Sequence, residues 1–240
     1  MVQQAYVLHR WPYQEHSLIV EFFGQQDGRF RAIAKGARRS KRGTAPLLQP
    51  FRLLQIEVRG RHELKTLTSV EVDDYNGPLQ GEFMYCGFYM NELLQRLLPE
   101  QASIPELFNA YKDTLHLLRE QVSMQPVLRK FEWLLLCHLQ LDFSWHEDVD
   151  NGDPIEPQQT YYFRPAEGFS VVNDNRAPTP YFSGEALLAM ANFALQDASL
   201  LQQFKHIMRR ALAPYLGTKP LRSRELFQAQ VNTLTGPDRR

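Results

Sequence analysis

Two hydrophobic periods divide the chain. Up to about residue 75 the apolar residues fall in short clusters rich in branched and aromatic side chains, which predict strands. AYVLHRW (5–11) and SLIVEFFG (17–24) are separated by Pro12 and polar residues. Gly24 and Asp27-Gly28 then predict a turn into RFRAIAK (29–35). Alternation in that third segment puts Arg29, Arg31, Ile33 and Lys35 on one face and Phe30, Ala32 and Ala34 on the other. FRLLQIEVR (51–59) turns at Gly60, and ELKTLTSVEV (63–72) sets Leu64, Thr66, Thr68, Val70 and Val72 on a common face. Five short strands predict a small closed barrel, because closure removes exposed sheet edges. Strand count and spacing suit an oligonucleotide-binding (OB) barrel or an SH3-like barrel, and leave both open.

From about residue 81 the period becomes helical. EFMYCGFYMNELLQRLL (82–98) carries a broad apolar stripe and is stopped by Pro99. Ser103 and Glu106 have capping-box spacing, with Pro105 in the first turn of the helix through IPELFNAYKDTLHLLREQ. VLRKFEWLLLCHLQL (127–141) is apolar nearly all round, which predicts the central helix of a bundle. A polar, turn-rich stretch follows, with a hairpin predicted at TYYFRPAEGFSVV. Ser183 is placed to cap GEALLAMANFAL, and SLLQQFKHIMRRALAPYL runs to Gly217 with a kink expected at Pro214. SRELFQAQV predicts a short final helix. The expected class is therefore α+β: a barrel domain over 1–80, then a mostly helical domain over 81–240 with an irregular insertion around 142–180.

Composition narrows the setting. The 240 residues, 43% apolar and 22% charged, can bury a real core. No apolar run approaches the roughly 18 residues that a membrane span needs, and MVQQAYVLHRW lacks a signal-peptide layout. The two cysteines, Cys86 and Cys137, lie in separate apolar stretches, as expected of reduced packing residues in a cytoplasmic protein.

Charge changes the picture more. The formal net charge is zero, yet residues 29–65 hold eleven Lys or Arg against two acids, and residues 66–200 hold seven against twenty. Residues 201–240 return to eight against two. Charge runs are often only solvated faces, but two basic territories around an acidic middle point to a polyanion partner with a limited footprint. The densest stretch is AKGARRSKRG (34–43), where Lys35, Arg38, Arg39, Lys41 and Arg42 meet no acid. It lacks the Gly-Lys-Ser/Thr of a phosphate-binding loop, so a flexible cationic connection that holds a phosphate backbone is the expected role. Phe22, Phe23, Phe30 and Phe51 could supply stacking platforms, although core packing suits each better. Lys219, Arg222 and Arg224 in LGTKPLRSRELF (216–227) form a second basic run, open to packing or to binding.

Other chemistry finds little support. HEDVDNGD (146–153) fails calcium-loop spacing, because position five would be Gly152. The histidines form no paired metal motif, and no nucleophile elbow or dinucleotide fingerprint occurs. No metal, no cofactor and no enzymatic activity are expected.

Four segments in order carry a resemblance that spans nearly the whole chain. YVLHRWPYQEHSLIVEFFGQQDGRFRAIAKGARRSKR, QPF (49–51), YMNELLQRLL (89–98) and YLGTKPLRSRELF (215–227) resemble the RecO family of bacterial recombination mediators. The resemblance implies an OB barrel followed by a helical domain, which resolves the choice of barrel. It implies binding to single- and double-stranded DNA, annealing of complementary strands, and action with RecR to load RecA onto strands coated by single-stranded-DNA-binding protein (SSB), the RecF pathway. It implies DNA contacts from Lys35, Arg38, Arg39, Lys41 and Arg42; Arg29 and Arg31, on the outward face of the third strand, and Lys219, Arg222 and Arg224, still open to packing, are the further DNA-binding candidates. A pocket for the SSB C-terminal tail is implied in the helical domain, with Arg129 or Lys130 as candidates to meet its carboxylates. A cytoplasmic protein, on the nucleoid when DNA-bound, is implied. Many members carry a four-cysteine zinc site corresponding to about 145–180; no cysteine lies there in this chain. The alternative is a generic OB-fold DNA- or RNA-binding module without annealing or mediator activity.

Overall fold

The computed structural model describes residues 2–39, 43–60, 63–73, 77–173, 177–195 and 197–227. Five strands open the chain: β1 (Val2–Tyr13), β2 (Ser17–Gly24), β3 (Gly28–Ala34), β4 (Leu54–Arg59) and β5 (Leu64–Val72). They close into a barrel in the order β1-β2-β3-β5-β4, with β3 and β5 parallel and every other pair antiparallel. This is the five-stranded OB arrangement. Alternate residues fill it: Ala5 and Val7, Val20 and Phe22, Phe30 and Ala32, Leu54 and Ile56. Arg29 and Arg31 of β3 lie on the face away from the barrel core as its alternation predicts, since Phe30, Ala32 and Ala34 are the buried set, and Lys35 follows just past the strand's end.

Two bulges alter the phase that simple alternation predicts. On β1 the register shifts between Val7 and His9, so Arg10 turns toward the barrel mouth and His9 and Trp11 face outward. There Arg10 Nη1 donates to Ala45 O at 3.0 Å and Leu48 O at 3.3 Å. On β5 the register shifts opposite Glu57 and Val58, so that Glu57 pairs with Ser69 but Val58 with Leu67. Thr68 is the extra residue, its hydroxyl donating to Glu57 O at 3.1 Å. The common face expected for 64–72 is thus broken. Val70 and Val72 keep to the core, Leu67 joins them, and Leu64 is left exposed.

The barrel's other side is covered by α1 (Gly81–Leu97) and α2 (Pro105–Arg119). Tyr6 and Phe23, which point out of the barrel, are fully buried against Phe108 and Tyr111 of α2, with centroids 5.0–5.9 Å apart. Buried Asn91 of α1 donates to Leu8 O at 3.0 Å and accepts from the Tyr111 hydroxyl at 2.5 Å. The expected capping box does not form: the N-cap of α2 is Ile104, with no side-chain cap bond. Pro105 fits the first helical position because it lacks an N–H, which fixes the cap at the residue before it and leaves Ser103 one place early. These elements form one compact unit, Met1–Val122 together with the segment that begins at Lys219.

Ser123–Thr218 forms the second unit. It holds α3 (Met124–His138), a three-stranded sheet of β6 (Thr160–Arg164), β7 (Gly168–Val171) and β8 (Tyr181–Ser183), and α4 (Gly184–Ala191) and α5 (Ala198–Leu216). The sheet order is β7-β6-β8, and the predicted hairpin is β6-β7. Ser183 caps α4 by accepting from Ala186 N at 3.2 Å, and α5 ends at Gly217 with φ 69°. Phe143, Trp145, Phe163, Phe169 and Phe204 build the core as a chain of tilted and edge-on rings. The acidic loop serves this core. Buried Asp148 accepts from Asp150 N at 2.7 Å and Val171 N at 2.9 Å, so its carboxylate is spent on backbone donors.

Gly28 locks the first unit together. It has φ 61°, and a Cβ there would lie 2.0 Å from Ala102 O. Gly28→Ala should therefore lower stability by at least about 1–3 kcal/mol, read as a reduced midpoint in urea unfolding.

Candidate nucleic-acid interface

The outer face of β1-β2-β3-β5 carries two cross-strand rows. One reads Trp11, Ile19, Ile33, Thr66; the other reads His9, Glu21, Arg31, Leu64. Glu21, whose side chain is only 3% exposed, governs the second row. Its Oε1 accepts from Arg29 Nη1 at 2.8 Å and Arg31 Nε at 3.4 Å, and its Oε2 from Gln95 Nε2 at 2.9 Å. Arg29 also donates from Nε to Leu98 O at 2.7 Å, and both guanidiniums lie near Glu100. Arg29 is 13% exposed and Arg31 47%. Of the two arginines expected to face a polyanion, the structure therefore places Arg29 in an internal ion-pair network. Arg31 remains reachable, with its guanidinium carbon 5.6 Å from the Trp11 ring centroid.

The connection after β3 differs in kind. Lys35, Arg38 and Arg39 are exposed and have no carboxylate partner among the described residues. Its base is fixed: Arg38 N donates to His16 O at 2.9 Å, Ala45 N to Ala37 O at 3.3 Å, and Ala37 and Leu48 are buried in the barrel core. Gly36 takes φ 66°, the left-handed conformation that lets the chain leave the strand so abruptly. A packed base and an outward cationic rim suit the holding of a phosphate backbone. Lys41 and Arg42, expected to complete the set, lie outside the described residues.

The C-terminal basic run joins the barrel's unit. Glu92 of α1 accepts from Ser223 N at 2.9 Å, Ser223 Oγ at 2.7 Å, Arg222 N at 3.1 Å and Arg96 Nη2 at 2.6 Å. Arg96 in turn donates to Lys219 O and Pro220 O, both at 2.6 Å. Burial pushes the Glu92 carboxyl up, but the Ser223 and Arg222 hydrogen bonds and the Arg96 charge outweigh it and hold the group below its ordinary value. The run is held through its backbone, which leaves the Lys219 and Arg222 side chains exposed. Arg224 is half-buried, 5.5 Å from the Tyr89 ring centroid. Burial lowers His9 below its ordinary value, Glu21 opposes this, and the Arg222 and Arg10 charges add to it. Arg222 is thus within electrostatic reach of the barrel's outer face.

In the second unit, Arg129 is 4% exposed and pairs with buried Glu132 at 2.6 Å. Its Nε and Nη1 find no hydrogen-bond partner among the described residues. Lys130 beside it is exposed.

Two features of this surface escape sequence reasoning. Glu21 reads as one acid in an apolar run, and its role appears only when the β2-β3 register sets it opposite Arg31. Phe22, Phe23, Phe30 and Phe51 are all buried, so none offers a platform. The exposed aromatic is Trp11, turned outward by the β1 bulge.

The family model described as "Recombination protein O N terminal" matches residues 1–75, and "Recombination protein O C terminal" matches residues 79–225. The chain is 46% identical over 231 residues to the DNA repair protein RecO of Idiomarina loihiensis, covering 95% of this chain and 98% of that protein. It is 41% identical over 229 residues to that of Actinobacillus pleuropneumoniae serotype 7, covering 94% of each. It is 40% identical over 232 residues to that of Haemophilus influenzae, covering 96% and 97%.

Two measurements probe the interface. Glu21→Gln leaves Arg29 with Glu100, 3.4 Å away, as its one carboxylate partner among the described residues, and should cost about 2–3 kcal/mol of stability in urea unfolding, with the half-exposed Arg31 adding little. Because the Glu92 carboxyl is depressed on folding, its stabilisation is present above its unfolded value, about pH 4.3, and fades as pH falls through its folded value. Backbone amides of the segment from Lys219 to Phe227 should lose hydrogen-exchange protection in acid, and Glu92→Gln should weaken that protection at neutral pH.

Proposed function

The chain belongs to the RecO family, and from that premise we propose that it is a DNA repair and recombination mediator. In this reading it binds single- and double-stranded DNA, anneals complementary strands and, with RecR, helps load RecA onto SSB-coated strands. The observation that carries it is the contrast among the cations: Arg29 and Arg31 are matched by Glu21, whereas Lys35, Arg38 and Arg39 are left for an external anion. Lys41 and Arg42 extend the same run in sequence. Each phosphate they neutralise releases counterions, a gain that needs no particular base.

Annealing follows from electrostatics. Two strands repel each other as they meet, and cations on both sides of the junction lower that repulsion. The loop offers one set, and the exposed Lys219 and Arg222, held out by Glu92, offer another, with Arg224 at their edge. Pairing of the bases supplies the driving force, so no bond is made and no nucleotide is consumed. For the SSB tail, Arg129 supports the reading. Its two unpartnered nitrogens are buried, so a tail carboxylate reaches them only where the site opens, and Lys130 is the exposed cation beside it. Among the described residues no helix is long and apolar enough to cross a membrane.

The test is annealing of two complementary strands, each coated with SSB, by the wild type and by a variant with Lys35, Arg38, Arg39, Lys41 and Arg42 changed to alanine. The wild type should anneal rapidly and the variant far more slowly. The variant's salt slope of log affinity should flatten by up to about 4, roughly 0.7–0.9 for each of the five lost phosphate contacts. Tight binding to bare strands without annealing of coated ones would instead identify a plain OB-fold binding module.

A further inference from the structure

A cleft of about 330 Å³ opens on the barrel's outer face, lined by Trp11, Ile19, Arg31, Glu63, Leu64 and Glu100. Its volume falls within the roughly 300–1,000 Å³ usual for small-ligand sites. Trp11 and Leu64 are 36% and 39% exposed, two of the few large apolar side chains that the fold leaves open. Both are there by construction. The bulge on β1 turns Trp11 out, and the bulge on β5 turns Leu64 out. Ile19, directly opposite Trp11 on β2, completes an apolar floor.

The charges of the cleft say what it cannot hold. Glu63 and Glu100 stand at it, and Arg31 is already shared between Glu21 and Glu100. A phosphate placed here would meet two carboxylates and a cation largely neutralised. A nucleobase meets better matches. One face can stack on the Trp11 indole in place of the Arg31 guanidinium, which rests 5.6 Å from that ring's centroid and can swing aside to cover the base's other face. An exocyclic amino group at its edge can donate to Glu63 or Glu100, the way carboxylates read the amino group of cytosine. Glu63 is exposed at the rim of the cleft.

Chain order then links the cleft to the cationic connection. Arg31 lies on β3, which ends at Ala34, and Lys35 follows directly after it, so the cleft adjoins the start of the cationic connection. We propose that this cleft takes one unstacked, amino-bearing base of a single DNA strand, stacked on Trp11 with Arg31 displaced from that ring, while the strand's phosphates follow Lys35, Arg38 and Arg39. The assignment rests on the DNA-binding reading above and adds to it a base-specific contact. Duplex DNA, whose bases are paired and stacked, makes no use of the cleft. The protein thereby gains a means of telling an open strand from a closed one.

The test measures fluorescence anisotropy of labelled oligodeoxycytidine, oligothymidine, an abasic strand of equal charge and a duplex. Wild type is compared with Trp11→Ala, Trp11→Tyr and the loop variant Arg38→Ala/Arg39→Ala. Trp11→Ala should weaken binding to oligodeoxycytidine about tenfold. Its duplex affinity and salt slope should stay unchanged, and Trp11→Tyr should restore most of the loss. Wild type should bind the abasic strand as weakly as Trp11→Ala binds the intact one, and should favour oligodeoxycytidine over oligothymidine. If wild type binds the abasic strand as tightly as the intact one, or favours thymidine, the base site is overturned. Because those arms need no variant, they decide even if Trp11→Ala folds poorly. A salt slope that the loop variant still flattens would then leave the DNA-binding reading standing, whereas wild type binding none of the probes would end both.

Discussion

Glu21 occupies a position where a carboxylate is costly, almost wholly removed from water on the outside of a barrel strand. It is tolerated because Arg29, Arg31 and Gln95 converge on it, and that convergence organises much around it. Through Gln95 and the Arg29–Leu98 bond it ties the β2-β3 ribbon to α1 and the residue that follows it. By consuming the cations nearest the barrel it also sets the charge of the face, so that a stretch rich in arginine in the sequence is close to neutral in space. Positive potential is thereby displaced outward, to the connection after β3, where Lys35, Arg38 and Arg39 have no carboxylate partner among the described residues, and to the exposed side chains of Lys219 and Arg222.

How far the sequence could be read depends on whether a feature is periodic or relational. The barrel strands, the long helices, the β6-β7 hairpin and the Ser183 cap were legible because each rests on local spacing or on the chemistry of a single residue. The choice between two kinds of barrel was not local, and came from resemblance. What escaped notice arose from pairing across strands. The bulges at Leu8 and Thr68 each shift a strand by one residue, which moves Trp11 and Leu64 to the outside and Leu67 to the inside. No pattern within either strand announces this. Pro105 likewise defeats a sound capping motif because its own preference for the first helical position is the stronger constraint.

The candidate interface was half legible for the same reason. A run of cations with no acid is visible in one dimension, and Lys35, Arg38 and Arg39 are exposed as its composition suggests. Arg29 looked equivalent on alternation alone and is instead half of a buried ion pair. The C-terminal run resisted assignment because it does two things at once, its backbone held by Glu92 and Arg96 and its side chains turned to solvent.

That arrangement bears on the order in which the chain is made. Glu92 leaves the ribosome 130 residues before Arg222, and the whole of Ser123–Thr218 is synthesised between them. During that interval a nascent first unit holds a half-buried carboxylate with Arg96 as its partner and without the donors of Arg222 and Ser223. Its folding cannot be completed by vectorial growth alone; it must wait for a later segment to return across the intervening unit. A chaperone that shields the α1 surface during translation would act on the one part of this unit that synthesis leaves unfinished longest.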